Sequence, residues 1–217
     1  MNVIIAGSTG MVGKLIMESC VASEKIEAVT TLVRKPSQTG DKIKEVVVKD
    51  FGDYSDQENL FQGMDIGFFC IGAYTGQVSD DLFKKITVDY AVAFAKELKR
   101  HNPNATLCML SGAGADRSEK SRTAFARYKG MAENQISALG LQFYTFRPAY
   151  IYPVTPRKEP NFIYSLSRSL YPLIRLMGEN ASIKSTELAE AMVTVGLHGA
   201  EKEILENKDI LAVIEYV

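Results

Sequence analysis

The chain has 217 residues, 46% hydrophobic and 24% charged, the balance of a globular domain and not of a disordered or fibrous one. A formal net charge of −1 supplies no overall pull toward nucleic acid or an anionic membrane. Three cysteines in apolar segments without C-x-x-C spacing, and only two histidines, argue for reduced, buried thiols and against a structural metal site.

Val3–Ala6 is a short apolar run that feeds Gly7, Ser8, Thr9, Gly10, Met11, Val12 and Gly13, and a helical pattern follows at Val12, Leu15, Ile16 and Cys20. The three glycines make G-x-x-G-x-x-G, a variant of the dinucleotide fingerprint. Gly7 lets the chain turn out of a strand, Gly10 lets backbone N–H groups approach a pyrophosphate, and Gly13 lets the helix pack close to the sheet. The helix N-terminus adds unpaired N–H groups and a partial positive charge. A bound dinucleotide is the expectation.

Ala28–Val33 reads as a second strand and ends in Arg34 and Lys35, about 20 residues beyond the glycines. An acidic residue there would hold the ribose 2′-OH of NAD, whereas a cation accepts the 2′-phosphate of NADP. Arg34 and Lys35, with the hydroxyls of Ser8 and Thr9, favour NADP(H), with NAD(H) second. Residues 46–51 read as a third strand, with Asp50 placed to meet an adenine amino group and Phe51 beside it. The apolar run 65–74 reads as a fourth, buried on both faces, with Cys70, Gly72 and Ala73 lying against the cofactor.

Leu82, Phe83, Ile86, Tyr90, Phe94 and Leu98 recur at helical spacing, so they predict a core helix capped at Ser79 and stopped by Pro103. Residues 106–111 form a fifth strand ending at Ser111, 121–139 a helix, and 143–148 a sixth strand ending at Pro148. Prolines at 153, 156 and 160 mark 151–161 as loop. Residues 162–177 read as an apolar and basic helical segment, so that 151–185 makes a substrate-side lid. A helix capped at Ser185 or Thr186 and an apolar run over 210–217 finish the chain. Strand and helix alternate with short connections. The expectation is an α/β protein, one Rossmann domain over 1–217, its doubly wound parallel sheet ordered 3-2-1-4-5-6 with room for a seventh strand. The first apolar run is too short, and lacks the basic flank, for a signal peptide, and no run reaches bilayer length, which points to the cytoplasm.

Across Gly7–Gly13, residues 69–72, Val88-Asp89, residues 110–116, Lys129-Gly130, residues 146–148 and 205–208, the chain resembles an atypical short-chain dehydrogenase/reductase. The nearer resemblance is to Tat-interacting-protein-like oxidoreductases and NmrA-like NAD(P)H-binding proteins. It implies an oxidoreductase or sugar-nucleotide-epimerase-like protein with a Ser, a Tyr and a Lys, the last two spaced Y-x-x-x-K on one helix face. The lysine lowers the phenol pKa and holds the nicotinamide ribose, and the phenol moves the substrate proton. Here Lys129 is in place, serving both the ribose and catalysis. Phe125 stands where the tyrosine is expected, and Gly112 follows Ser111 where a second serine is usual. Three readings stay open: Tyr128 replaces the tyrosine through a locally rotated helix, Tyr74 or Tyr150 supplies the phenol, or the protein binds NADP(H) without turnover, as a redox sensor or scaffold acting on a protein partner. The partners expected are therefore the dinucleotide and a small molecule or a protein, with no nucleic acid and no membrane span, in a monomer or homodimer.

Overall fold

Apolar runs alternate with amphipathic ones, and strands that lie parallel need a crossover between them, which the amphipathic segments supply as helices. The computed structural model describes residues 1–36, 40–57, 59–74, 76–155, 171, 178 and 180–215. In chain order the elements are β1 (Asn2–Ala6), α1 (Met11–Ala22), β2 (Ala28–Val33), β3 (Ile43–Val47), β4 (Ile66–Phe69), α2 (Asp80–Lys84), a π-helical turn (Lys85–Asp89) and α3 (Tyr90–His101). Next come β5 (Thr106–Leu110), α4 (Ala124–Ser137), β6 (Gln142–Arg147), β7 (Tyr150–Tyr152), β8 (Ser182–Lys184), α5 (Ser185–His198), β9 (Ile204–Glu206) and α6 (Asn207–Glu215). The main sheet runs β3-β2-β1-β4-β5-β6-β9 with every pair parallel, the Rossmann order with a seventh strand.

Successive side chains of β1 serve opposite faces. Ile5 joins Ile16, Phe68, Met192 and Ile210 beneath α1, α5 and α6, while Ile4 joins Phe94, Leu98, Leu107 and Ile136 beneath α3 and α4. Both isoleucines are completely buried, which is why this strand reads as a continuous apolar run.

Several boundaries differ from the sequence reading. β3 starts at Ile43, paired with Val29, and ends at Val47, so Asp50 and Phe51 lie in the turn beyond it. As an edge strand it needs no continuous apolar run. Ser79 does cap α2, its Oγ accepting the Leu82 N–H at 3.3 Å. The π turn that follows shifts the helical register, leaving Leu82 on the surface while Phe83 is buried. The helix expected from 121 starts at Ala124, because the Asp116 carboxylate holds the N–H groups of Lys120 and Ser121 in the preceding turn.

Residues 150–152, partly read as loop, pair instead with Ser182–Lys184 in a second small sheet. Lys184, and neither Ser185 nor Thr186, is the N-cap of α5, since Ser185 Oγ accepts the Val154 N–H at 3.2 Å. Of the terminal apolar run, residues 210–215 belong to helix α6 and 216–217 lie outside the described residues, and the seventh strand is the short β9 before the helix. Of the expected helical segment 162–177, only Tyr171 is among the described residues; it stacks on Tyr152 with centroids 3.9 Å apart. The three cysteines are free, Cys20 and Cys108 buried and Cys70 half-buried.

Candidate functional site

The site begins at the turn between β1 and α1. Gly7 has φ +95°, and a Cβ there would lie 2.7 Å from the Cys70 carbonyl carbon; a Cβ on Gly13 would lie 2.2 Å from the Gly7 oxygen. The fold itself demands both glycines. Gly10 differs: its φ is −80°, and the nearest atom to a Cβ would be the Gly7 oxygen at 3.2 Å. That contact is tight but can be relieved by a few tenths of an ångström, and at the start of α1 no side chain caps the helix and no acidic residue occupies the first turn. An uncapped helix N-terminus with its dipole intact suits an anion.

From this turn a cleft of about 600 Å³ runs along the C-terminal ends of β1, β4 and β5, the crevice where such sheets take their ligands. Gly10, Met11, Val12 and Gly13 line one end, Cys70, Gly72, Ala73 and Tyr74 one wall, and Ser111, Gly112, Phe125, Lys129, Pro148 and Tyr150 the far end. Other residues assigned to the cofactor from sequence lie outside these walls. Gly7 and buried Ser8 sit beneath the turn, and Thr9, Arg34 and Lys35 are exposed. Asp50 Oδ1 accepts the Gly52 N–H at 2.9 Å and Oδ2 pairs with Lys85 at 3.0 Å. The backbone bond first, then Lys85, hold its carboxyl below the usual range. The Phe51 ring is buried against Tyr90.

At the far end Lys129 Nζ donates to the Leu110 carbonyl at 2.9 Å. Burial pulls the amine down to about 8, with Glu133 acting in the opposite sense. The Phe125 ring covers Gly112, whose Cβ, were there one, would lie 2.6 Å from the ring tip. The two departures from the family pattern are therefore one interlocked pair, the ring filling the space a serine side chain would need. Tyr128, the subject of the first open reading, points elsewhere. The helix around it is regular, its ring packs on Phe83, and its hydroxyl donates to Asp80 Oδ2 at 2.5 Å, away from the cleft walls. Tyr74 and Tyr150 do line the cleft.

One group escaped the sequence reading. Ser111 Oγ donates to Glu133 Oε1 at 2.6 Å, and Glu133 is wholly buried. Arg117 and Arg147 pair with the same carboxylate at 2.9 and 2.5 Å, and Thr145 donates to it as well. Burial pushes this carboxyl up, but the bonds from Arg147, Ser111 and Arg117 outweigh it and leave it below the usual range. The only signal in the sequence was a glutamate one helical turn after Lys129, flanked by apolar Ala132 and Ile136. Among the described residues no His/Cys/Asp/Glu group could hold a metal ion, and no helix is long and apolar enough to cross a membrane.

A family model described as NAD(P)H-binding matches residues 7–195. Protein HTATIP2 of Rattus norvegicus is 26% identical over 218 aligned residues, covering 97% of this chain and 88% of the relative. The mitochondrial protein FMP52 of Debaryomyces hansenii is 34% identical over 146 residues, 64% of this chain and 61% of that protein. Among solved structures, Gre2 of Candida albicans in complex with NADPH superposes with a TM-score of 0.72 at 12% identity, covering 95% of this chain and 78% of the other. That last likeness is one of fold.

Proposed function

Since the chain belongs to the NAD(P)H-binding family, we propose that this cleft takes NADP(H) and that the protein binds the dinucleotide as a redox sensor or scaffold for a protein partner. The observation that carries the reading is that Ser111 Oγ donates to Glu133 and the Tyr128 hydroxyl to Asp80, while Phe125, on the cleft wall, offers no hydroxyl. The residues fit the cofactor. Gly10 and the first turn of α1 would hold the pyrophosphate, Cys70, Gly72 and Ala73 would flank it, and Lys129 would donate to a ribose hydroxyl. Arg34 and Lys35 are exposed past β2, at the place where a 2′-phosphate would be taken. Bound NADP(H) supplies hydride chemistry. The free thiols agree with a reducing compartment, and the cytoplasm is the proposed location.

A second reading keeps catalysis: an atypical short-chain oxidoreductase, or a sugar-nucleotide-epimerase-like protein, with Tyr74 or Tyr150 moving the substrate proton. Both phenols line the cleft that also holds Lys129. Thermal unfolding with NADPH and with NADH tests the binding reading. NADPH at a hundredfold excess over its dissociation constant stabilises by about 3 kcal/mol, and the Arg34→Ala/Lys35→Ala double variant loses the advantage over NADH. Equal shifts in the wild type would remove the 2′-phosphate assignment. A panel of carbonyl substrates, followed by NADPH oxidation, separates the two readings. No turnover in the wild type, with turnover in Phe125→Tyr, fits a binding protein lacking an acid, since such an acid contributes about 10²–10⁴-fold. Wild-type turnover lost in Tyr74→Phe or Tyr150→Phe establishes the enzyme.

A further inference from the structure

A carboxylate removed from water is costly unless its charge is paired and its oxygens accept hydrogen bonds. Glu133 is 0% exposed and meets that requirement with two guanidinium groups and two hydroxyls. The guanidinium groups are fixed in turn: Arg117 by Glu203 at 2.6 Å and Arg147 by Glu206 at 3.0 Å, on and beside β9. The carboxylate is thus held at one place between α4, β5, β6 and the sheet edge. Two of its neighbours, Ser111 and Lys129, line the cleft.

A serine hydroxyl has one proton. At 2.6 Å from a carboxylate oxygen, that proton is committed in a charge-assisted bond. Whatever Ser111 turns to the cleft is a lone pair. Lys129 stands one helical turn before Glu133, on the same face of α4. The titratable groups facing its amine are Glu133 from its own helix and Cys70 from the end of β4; Tyr74 and Tyr150 line the same cleft, and Arg117 and Arg147 stand beyond Glu133. Burial pushes the Cys70 thiol up to about 12, so it stays neutral and Glu133 is the anion that counts.

Resting on the reading that this cleft takes NADP(H), we propose that Glu133 is the positioning residue of its far end. It accepts the Ser111 O–H hydrogen bond, so that Ser111 meets ligands only as an acceptor, and it sustains the positive charge of Lys129. The cleft therefore pairs an acceptor at 111 with a cation at 129. That pair suits a ligand hydroxyl or amide donating to Ser111, and rejects a carbonyl oxygen at the same spot, which would face a lone pair with no proton between.

The test is made on the full chain without dinucleotide, so its failure is separate from a failure to bind NADPH. Lysine side chains are labelled for NMR, and Lys129 is assigned through Lys129→Met. In Glu133→Gln the midpoint of Lys129 falls by about one pH unit or more relative to wild type, the size of a nearby opposite charge. In Ser111→Ala it stays in place. A protected hydroxyl resonance from Ser111, absent in Ser111→Ala, is expected in the wild type. An unchanged Lys129 midpoint in folded Glu133→Gln would overturn the proposal, as would a Ser111 hydroxyl that exchanges freely with water. Should Glu133→Gln fail to fold, the wild-type hydroxyl resonance decides alone. Loss of packing around Glu133 without loss of its charge would not move the Lys129 midpoint.

Discussion

Alanine at Gly10 and alanine at Gly13 add the same methyl group three residues apart, and the structure separates their consequences. At Gly13 the methyl carbon lies 2.2 Å from the Gly7 oxygen, a backbone atom that cannot swing aside. Relief requires moving the start of α1 off the sheet by roughly 1 Å, and overpacking of that kind costs about 3 kcal/mol at the upper end of its usual range. Better helix propensity returns up to about 1 kcal/mol, leaving a net loss of about 2 kcal/mol. With a urea dependence of about 2 kcal/mol per molar, the unfolding midpoint drops by about 1 M. At Gly10 the backbone angle is open to any residue, and the same Gly7 oxygen lies 3.2 Å away, a tight contact that a shift of a few tenths of an ångström relieves. There, stability stays within about 0.5 kcal/mol of wild type. The methyl instead fills the space over the helix N-terminus, and NADPH affinity falls at least about tenfold, or about 1.4 kcal/mol. The chain has no tryptophan, so circular dichroism follows unfolding and the dinucleotide's own fluorescence follows binding. Wild-type NADPH affinity in Gly10→Ala would refute the placement of the pyrophosphate on this turn. An unchanged urea midpoint in Gly13→Ala would refute the packing account.

Tyr128→Phe removes a charge-assisted bond to Asp80 and is expected to lower stability by about 1–2 kcal/mol while leaving NADPH affinity unchanged. A selective loss of NADPH binding would mean that the phenol reaches the cleft after all. Burial pulls the Lys129 amine down to about 8 in the folded chain, against about 10.4 when unfolded. The unfolded state therefore binds more protons between those values, and this residue's contribution to stability rises with pH across the window, by up to about 3 kcal/mol. Two thiols act oppositely: desolvation pushes Cys20 and Cys70 up to about 12, so their contribution falls as pH rises above the ordinary thiol range. The difference between wild type and Lys129→Met cancels the thiols. Urea unfolding between pH 7 and 10.5 should show that difference growing in favour of the wild type, and a flat difference would refute the depressed amine.

Local sequence determined the frame. The apolar run of β1, the glycine spacing and the following helical pattern each depend on neighbours a few residues apart, and together they identified the turn and the Rossmann order. Gly7 and Gly13 are required by contacts within the turn and with β4, and their spacing alone conveyed it. The same local logic showed that Phe125 leaves no Y-x-x-x-K. Tertiary structure decided the rest, because direction in space depends on residues distant in the chain. Asp80, 48 positions before Tyr128, captures that phenol. Ser111, Thr145 and Arg147 reach Glu133 from two strands. The β7–β8 pair and the three-residue β9 exist through partners that no periodicity records. Phe125 and Gly112 read as two separate departures in sequence, and only the contact between them makes them a single change of shape at the far end of the cleft.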